Sequence, residues 1–151
     1  MTPYESLLQR TADNLLESFP QIWERIRSRL RMEAAGKFGI TLEQFRVLRH
    51  IRQGYQSVGD LAEKKQTSRS AVSQAVDELA AKGLVTRRQE SDDRRCVLLE
   101  LTPHAREVLD AHYQESRVWM KTCMATLGTE ELKSVQKAME TLKKTFTPEE
   151  S

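Results

Sequence analysis

Apolar and polar positions in the middle of the chain predict two short helices joined by a tight turn. The second helix has an apolar stripe at three- and four-residue spacing, made by Val72, Ala75, Val76 and Leu79. It follows the capping residue Ser68 and stops at Gly83, and the first helix begins at Ser57 and runs to about Lys65. The link between them is short and polar, so the pattern predicts a helix-turn-helix.

The polar side of the second helix has the composition of a surface that reads DNA. In a major groove, arginine prefers guanine edges, glutamine prefers adenine, and serine reaches either bases or phosphates. The N-terminus of a helix also favours a nearby phosphate. We therefore predict a DNA-binding surface at the start of this helix, made by Ser68, Arg69, Ser70, Ser73 and Gln74.

After Gly83 the apolar period changes from helical to strand-like, which predicts a β-hairpin. A polar first strand is followed by a return strand in which residues 96–101 alternate between the two faces. The turn between the strands ends in Arg94 and Arg95, where the tip of a wing would meet the DNA backbone or minor groove. Asp93 can hold Arg95 in place.

Four short motifs occur in this region in a fixed order. They are LA at 61–62 followed by SRSAVSQ at 68–74, GLV at 83–85, and DRRCVLLELT at 93–102. Together they resemble the MarR family of bacterial transcriptional regulators, and the last is similar to that family's Asp-x-Arg wing signature ending in Leu-Thr. The resemblance covers about residues 22–146. It implies that Asp93 and Arg95 form a salt-bridged wing pair and that residues 68–74 belong to the recognition helix.

The N-terminal part of the chain predicts two helices in series. Thr2 and Glu5 make a capping-box pattern around Pro3, which opens the first helix. Pro20 disfavours helical geometry at Phe19, so we expect a break or a kink there before a second helix begins.

Further helices flank the helix-turn-helix. A second capping-box pattern, of Thr41 and Gln44, opens a support helix in front of it. After the hairpin, a long helix is predicted from Pro103 to about Leu127, and a final helix begins at Thr129.

These elements predict a mainly α fold with a small β-hairpin wing, of the α+β class, in one domain of residues 1–151. The winged helix-turn-helix spans 41–102, and 3–37 and 103–146 are dimerisation helices. The flanking helices are too short to form a second core, so we expect them to pack against each other and against a second copy. A two-fold homodimer would place two recognition helices in major grooves about 34 to 36 Å apart, on a palindromic site.

Composition narrows the class of protein. The net charge is +2, so charge alone does not indicate nucleic acid, and only basic side chains focused on one face would favour it. There is no run of 18 apolar residues and no signal sequence, which predicts a cytoplasmic protein with no membrane partner. No phosphate loop, HExxH pair or GxSxG elbow occurs, so we expect neither an enzyme nor a cofactor.

The histidines and cysteines are few and widely spaced. His50, His104 and His112 lack the spacing of metal ligands, so we expect structural or surface roles and no metal. Cys96 and Cys123 are too isolated for a disulfide framework. They leave open the alternative of a regulator that senses oxidants through cysteine.

Aromatic side chains outside the helix-turn-helix suggest a ligand pocket. The resemblance implies that a small aromatic or anionic effector would bind between the dimerisation helices and the DNA-binding region. The candidate ligand-binding residues are Trp23, His50, Tyr113 and Trp119. The alternative is that they are core and interface side chains, which is the usual role of aromatic residues at helical spacing.

The function predicted from these observations is that of a sequence-specific transcriptional regulator. Its partners would be double-stranded DNA, a second copy of the chain and the effector, and the action would be ligand-responsive repression. The alternative from another class is a protein-interaction adaptor that uses the winged helix as a rigid module. Exposed apolar residues on the recognition helix would favour that adaptor.

Overall fold

The computed structural model describes residues 1–90 and 97–147. Those residues form six helices and a two-stranded antiparallel sheet: α1 (Pro3–Phe38), α2 (Leu42–Arg52), α3 (Val58–Lys65), α4 (Arg69–Ala81), β1 (Val85–Gln89), β2 (Val97–Leu101), α5 (Pro103–Cys123) and α6 (Thr129–Phe146). The predicted fold class is confirmed. The chain divides into two compact units, Met1–Gln114 and Glu115–Ser151. The assignment of 3–37 and 103–146 to dimerisation stays a prediction.

Helix α1 is longer than the sequence predicts. Its capping box is formed, because the Thr2 hydroxyl accepts from the Glu5 amide and the Glu5 carboxylate accepts from the Thr2 amide. The expected break near Phe19 is wrong, since the helix continues through Pro20 for 36 residues. Proline removes one backbone donor, but an exposed helix can leave the freed carbonyl to water. The side-chain amide of Gln21 also donates to the Glu17 carbonyl at 3.0 Å, next to the proline.

The three helices that follow begin at the predicted caps. The Thr41 hydroxyl accepts from the Gln44 amide at 3.1 Å and completes a capping box at α2. Ser57 and Ser68 cap α3 and α4 by accepting from backbone amides three residues ahead, at 3.0 and 3.1 Å. Gln66 ends α3 in the left-handed conformation with φ 52°. This sharp change of direction sets the turn between α3 and α4.

The core of the first unit lies beneath α4. The predicted stripe is buried at Val72, Val76 and Leu79, and Ala75 packs against it partly buried. Side chains from α2, α3, the hairpin and α5 complete this core, among them Val47, Leu48, Leu61, Leu99 and Leu109. Because one face of α4 is held inside, its opposite face is fixed toward the outside.

The hairpin is anchored at its base. Strands β1 and β2 pair from Val85 with Leu101 to Gln89 with Val97, and the Leu99 amide donates to the Gln56 carbonyl at 2.7 Å. At the end of β2 the Thr102 hydroxyl donates to the Gly83 carbonyl at 2.8 Å. It also accepts from the Ala105 amide at 3.1 Å, in the first turn of α5. Thr102 therefore joins the segment that follows α4, the hairpin and α5.

The second unit contains the end of α5 and helix α6. Helix α5 stops at Cys123, earlier than the predicted Leu127, because turn bonds such as that from the Leu127 amide to the Met124 carbonyl replace helical ones. Helix α6 begins at Thr129 as predicted, and the Glu131 carboxylate accepts from the Gly128 amide at 2.8 Å. Within the described ranges, no helix has the length and apolar character needed to cross a membrane.

Candidate nucleic-acid interface

The predicted DNA-binding residues of α4 lie together at the start of that helix. Arg69, Ser70 and Gln74 are exposed, Ser73 is partly buried, and we call these four residues the reader face. The Ser68 hydroxyl is exposed but serves as the helix cap. The core stripe on the other side of α4 holds the reader face outward, as the sequence pattern predicts.

A polar network ties the reader face to the support helix. The buried Gln44 side chain donates to the Glu78 carboxylate at 2.6 Å, and Gln74 donates to the other oxygen of that carboxylate at 3.5 Å. Lys82 donates to the Gln44 carbonyl oxygen at 3.1 Å and to the Gly39 carbonyl at 2.7 Å. The bond between Gln44 and Glu78 crosses from α2 to α4, and Lys82 ties the end of α4 to the same amide, so these contacts hold α4 against α2.

Two arginines of β1 contribute basic charge that sequence reasoning did not select. Arg87 forms an ion pair with Asp77 of α4, and Arg88 pairs with Glu100 of β2 at 3.2 Å. All four side chains are substantially exposed. The sequence did contain an indication of this charge, because TRRQ at 86–89 forms a polar strand shortly after α4. What it did not show is that both guanidinium groups are held by carboxylates.

The predicted wing tip falls between the two described ranges. Asp93, Arg94 and Arg95 lie outside the described residues, as does Cys96. Their roles in a wing salt bridge and in groove contact stay predictions. The described part of the hairpin ends at Gln89 and resumes at Val97.

The four predicted ligand-binding residues have different surroundings. Trp23 is half exposed on α1, and Tyr113 is half exposed on α5 with the Arg52 guanidinium 5.7 Å from its ring centre. His50 is buried, lies 3.2 Å from the Gln53 side-chain oxygen and meets the Tyr55 ring edge to face. Trp119 belongs to the second unit. The pocket that would join the four stays a prediction.

His50 has an altered acidity. Burial lowers its pKa, because a protonated imidazole loses hydration there. The hydrogen bond with Gln53 opposes this effect and raises the pKa. The nearby cations Arg49, Lys64 and Arg46 lower it further. The net result is a lowered pKa for the His50 imidazole.

A groove that the sequence analysis did not anticipate lies between α1 and the start of α2. It has a volume of about 460 Å³ and is lined by Arg27, Arg31, Ala35, Gly39, Ile40, Thr41, Leu42 and Glu43. Arg27 and Arg31 are four residues apart, so they share one wall. Neither forms an ion pair with another residue of the described ranges. The groove therefore combines two available cations with an apolar floor, and its one carboxylate, that of Glu43, is paired with Arg46 and Lys65.

The remaining histidines and the described cysteine do not form a metal site. His112 is buried with its Nδ1 3.7 Å from Glu33, which also pairs with Arg29 at 2.9 Å. Across residues 1–90 and 97–147, no group of three or more potential ligands is placed to hold a metal ion. Cys123 is an exposed free thiol.

Comparison with known proteins identifies the winged-helix segment. Residues 40–97 match the model of the MarR family. Three Bacillus subtilis proteins are similar in sequence. The uncharacterized HTH-type transcriptional regulator YfiV is 29% identical over 107 residues, covering 70% of this chain and 67% of its own. A second, YdgJ, is 33% identical over 90 residues, covering 60% of this chain but only 54% of its own length. The HTH-type transcriptional repressor MdtR is 29% identical over 121 residues, covering 77% and 75%.

Solved structures share the same fold. A MarR family protein from Bacillus stearothermophilus has a TM-score of 0.82 at 22% identity, covering 93% of this chain and 98% of its own. Streptococcus pneumoniae FabT, solved in complex with DNA, has a TM-score of 0.74 at 18% identity, covering 89% and 96%.

Proposed function

We propose that this chain is a transcriptional regulator of the MarR family, whose model its residues 40–97 match, and not an enzyme, and that it binds a palindromic operator as a homodimeric, ligand-responsive repressor. The observation that carries the proposal is the reader face, which is polar, exposed and fixed from behind by buried Val72, Val76 and Leu79. Such a helix end can enter a major groove and present hydrogen-bonding groups to base edges.

The charge around the reader face supports DNA as the partner. Arg69 is exposed on α4, and Arg87 and Arg88 are on the adjoining strand β1. Apolar side chains on the reader face would favour the protein-interaction adaptor, but the exposed positions hold arginine, serine and glutamine. FabT shares this fold and was solved in complex with DNA, which supports DNA binding as the use of the fold in this chain. The action of such a regulator would be in the cytoplasm, where it meets DNA.

The homodimer is proposed from the apolar surface of α1. Leu8, Leu16, Phe19 and Ile22 are exposed, with exposed fractions of 56, 75, 53 and 57%. Helix α6 independently exposes Leu132, Val135 and Met139. Monomeric proteins rarely leave so many large apolar side chains in water, so a second copy is the partner we propose. Two-fold symmetry then requires a palindromic operator.

Repression is proposed because MdtR, which is 29% identical, is a transcriptional repressor. A dimer bound across an operator would block access to the DNA beneath it. An effector would relieve this block by binding better to a form whose two recognition helices are wrongly spaced.

The groove at Arg27 and Arg31 supports an anionic effector. Its volume of about 460 Å³ suits a small molecule. One arginine pair can hold a carboxylate while the apolar floor takes a ring.

Benzoate and the uncharged benzyl alcohol are matched probes for this site. We expect benzoate to weaken operator binding more than benzyl alcohol, and Arg27→Ala with Arg31→Ala to remove the difference. If Trp23→Ala and Tyr113→Ala remove the difference between the two probes instead, the aromatic pocket predicted from the sequence is favoured.

Selection of bound DNA from a random pool tests the proposal. The wild-type protein should enrich a palindrome with two half-sites one helical turn apart. Arg69→Ala should weaken or relax the preference, while Arg25→Ala, an exposed arginine on α1, should select the same palindrome as wild type. Enrichment of no sequence at all would refute DNA reading by this surface.

Cys123→Ser, combined with Cys96→Ser, would show in the same assay whether a peroxide response depends on cysteine.

A further inference from the structure

Gly59, in the first turn of α3, lies directly beneath the side chain of a reader-face residue. A Cβ atom placed on Gly59 would be 3.0 Å from Nη2, 3.4 Å from Cζ and 3.8 Å from Nε of Arg69. The two nearer distances are shorter than the normal separation of about 3.5 to 4.0 Å between carbon atoms in contact. A Cβ at position 59 therefore requires the Arg69 guanidinium to shift by a few tenths of an ångström, and a larger side chain requires more.

The backbone does not explain the glycine. Positive φ angles occur at Gly39, Gly54 and Gly83, but Gly59 has ordinary helical geometry inside Val58–Lys65. Alanine would be the better helix former at such a position. What glycine provides here is space, and the atoms that use the space belong to Arg69.

Arg69 has little else to fix its direction. It is the first residue of α4, and its side chain makes no hydrogen bond or ion pair with another residue in the described ranges 1–90 and 97–147. Its five donors are therefore available to a nucleic acid. An exposed arginine without partners would normally sample many rotamers, whereas a guanidinium lying over a glycine has one flat surface to rest on.

We propose that Gly59 is a positioning residue that sets where Arg69 presents its guanidinium, and through it the base preference of the recognition helix. This inference rests on the proposed function, because it assigns a specificity role within the same DNA-reading surface. Gly59 would act through van der Waals contact with the Arg69 side chain, and would not itself touch DNA. A side chain at position 59 would push the guanidinium away from α3 while leaving the core unchanged.

The test compares Gly59→Ala and the larger Gly59→Leu with Gly36→Ala. Gly36 is a helical glycine whose added Cβ would meet nothing within 4 Å, so it controls for helix propensity alone. For Gly59→Ala we expect the ratio of specific to non-specific DNA affinity to fall by about three- to tenfold, part of the discrimination given by one bidentate arginine contact. Gly59→Leu should lower the ratio further, and Gly36→Ala should leave it at the wild-type value. Thermal unfolding should show Gly59→Ala at least as stable as wild type.

A double-mutant cycle with Arg69→Ala separates positioning from other effects. In the Arg69→Ala background, Gly59→Ala should change the base preference no further, because the side chain that it displaces is gone. The inference is overturned if Gly59→Ala selects the wild-type site with wild-type affinity, if its loss persists undiminished without Arg69, or if Arg69→Ala has no effect. A wild-type protein that enriches no sequence would instead refute the proposed function, and the inference with it.

Discussion

The Asp77 carboxylate, in the recognition helix α4, accepts a hydrogen bond from the Arg87 guanidinium in strand β1 of the wing. The pair joins the two elements that the proposed function brings to DNA. It also occupies a basic side chain that would otherwise be available to a phosphate, and it places a negative charge beside the reader face. Asp77 therefore opposes DNA binding electrostatically while it holds the wing strand.

We predict that Asp77→Asn increases affinity for random DNA several-fold at low salt. The substitution removes one negative charge near the phosphates and releases Arg87, so the dependence of affinity on salt should become steeper, by up to about one unit of slope. Stability should change by less than about 1 kcal/mol, because both side chains are exposed. Fluorescence anisotropy with a random duplex over a salt series measures the effect.

Asp13→Asn is the matched control for net charge, since Asp13 is exposed on α1. It should raise the affinity less than Asp77→Asn. Equal effects of the two variants would show that the position of the charge, and hence the link to Arg87, does not matter.

The contact between Gln44 and Glu78 gives a prediction about stability. Glu78→Ala leaves the buried amide of Gln44 without the acceptor that it has at 2.6 Å. Such a loss costs about 1 to 3 kcal/mol of the free energy of unfolding. Urea unfolding of this variant, beside Glu24→Ala on the exposed surface of α1, measures the cost. A Glu78→Ala protein as stable as Glu24→Ala would contradict a structural role for the contact.

The sequence predicted those features that depend on neighbouring residues. The caps at Thr41, Ser57 and Ser68 are formed as predicted, because a cap needs only a side chain and an amide three residues ahead. The burial of Val72 and Leu79 followed from helical period alone.

Features that depend on tertiary contact were not predictable in the same way. Asp77 and Arg87 are ten residues apart, as are Gly59 and Arg69, and each pair meets only when the turn angles between them are set. The break expected at Pro20 failed for the opposite reason. A local rule disfavoured the helix there, and the rest of a 36-residue helix outweighed it.

His50 gives a prediction about pH. Because its pKa is lowered in the folded protein, the folded state binds a proton less readily than the unfolded chain. In the unfolded chain the histidine has its ordinary pKa of about 6.5. Its contribution to stability is therefore complete above that pH and is lost as the pH falls through the folded pKa. We expect the free energy of unfolding to fall between pH 7 and pH 5, and to fall less in His50→Gln.

The control for this experiment is His104→Gln, because His104 is exposed at the start of α5. Its pH profile of unfolding should follow that of wild type. If His50→Gln keeps the full wild-type slope, the loss of stability at acid pH comes from other groups.

The exposed apolar surface of α1 gives a prediction about assembly. Leu8→Glu places a charge where we propose that a second copy packs, and burying a carboxylate without a partner is unfavourable. The dissociation constant of the dimer should rise by at least about tenfold, which corresponds to losing the burial of one leucine side chain. Asn14→Glu adds the same charge at an exposed polar position of the same helix, and should have a smaller effect.

Sedimentation equilibrium gives the association constants, and binding to one or two half-sites gives the consequence for DNA. The Leu8→Glu protein should bind one half-site about as well as wild type but lose the extra affinity for two, since only the dimer places both recognition helices on one duplex. A Leu8→Glu protein that stays dimeric would move the interface away from this face of α1.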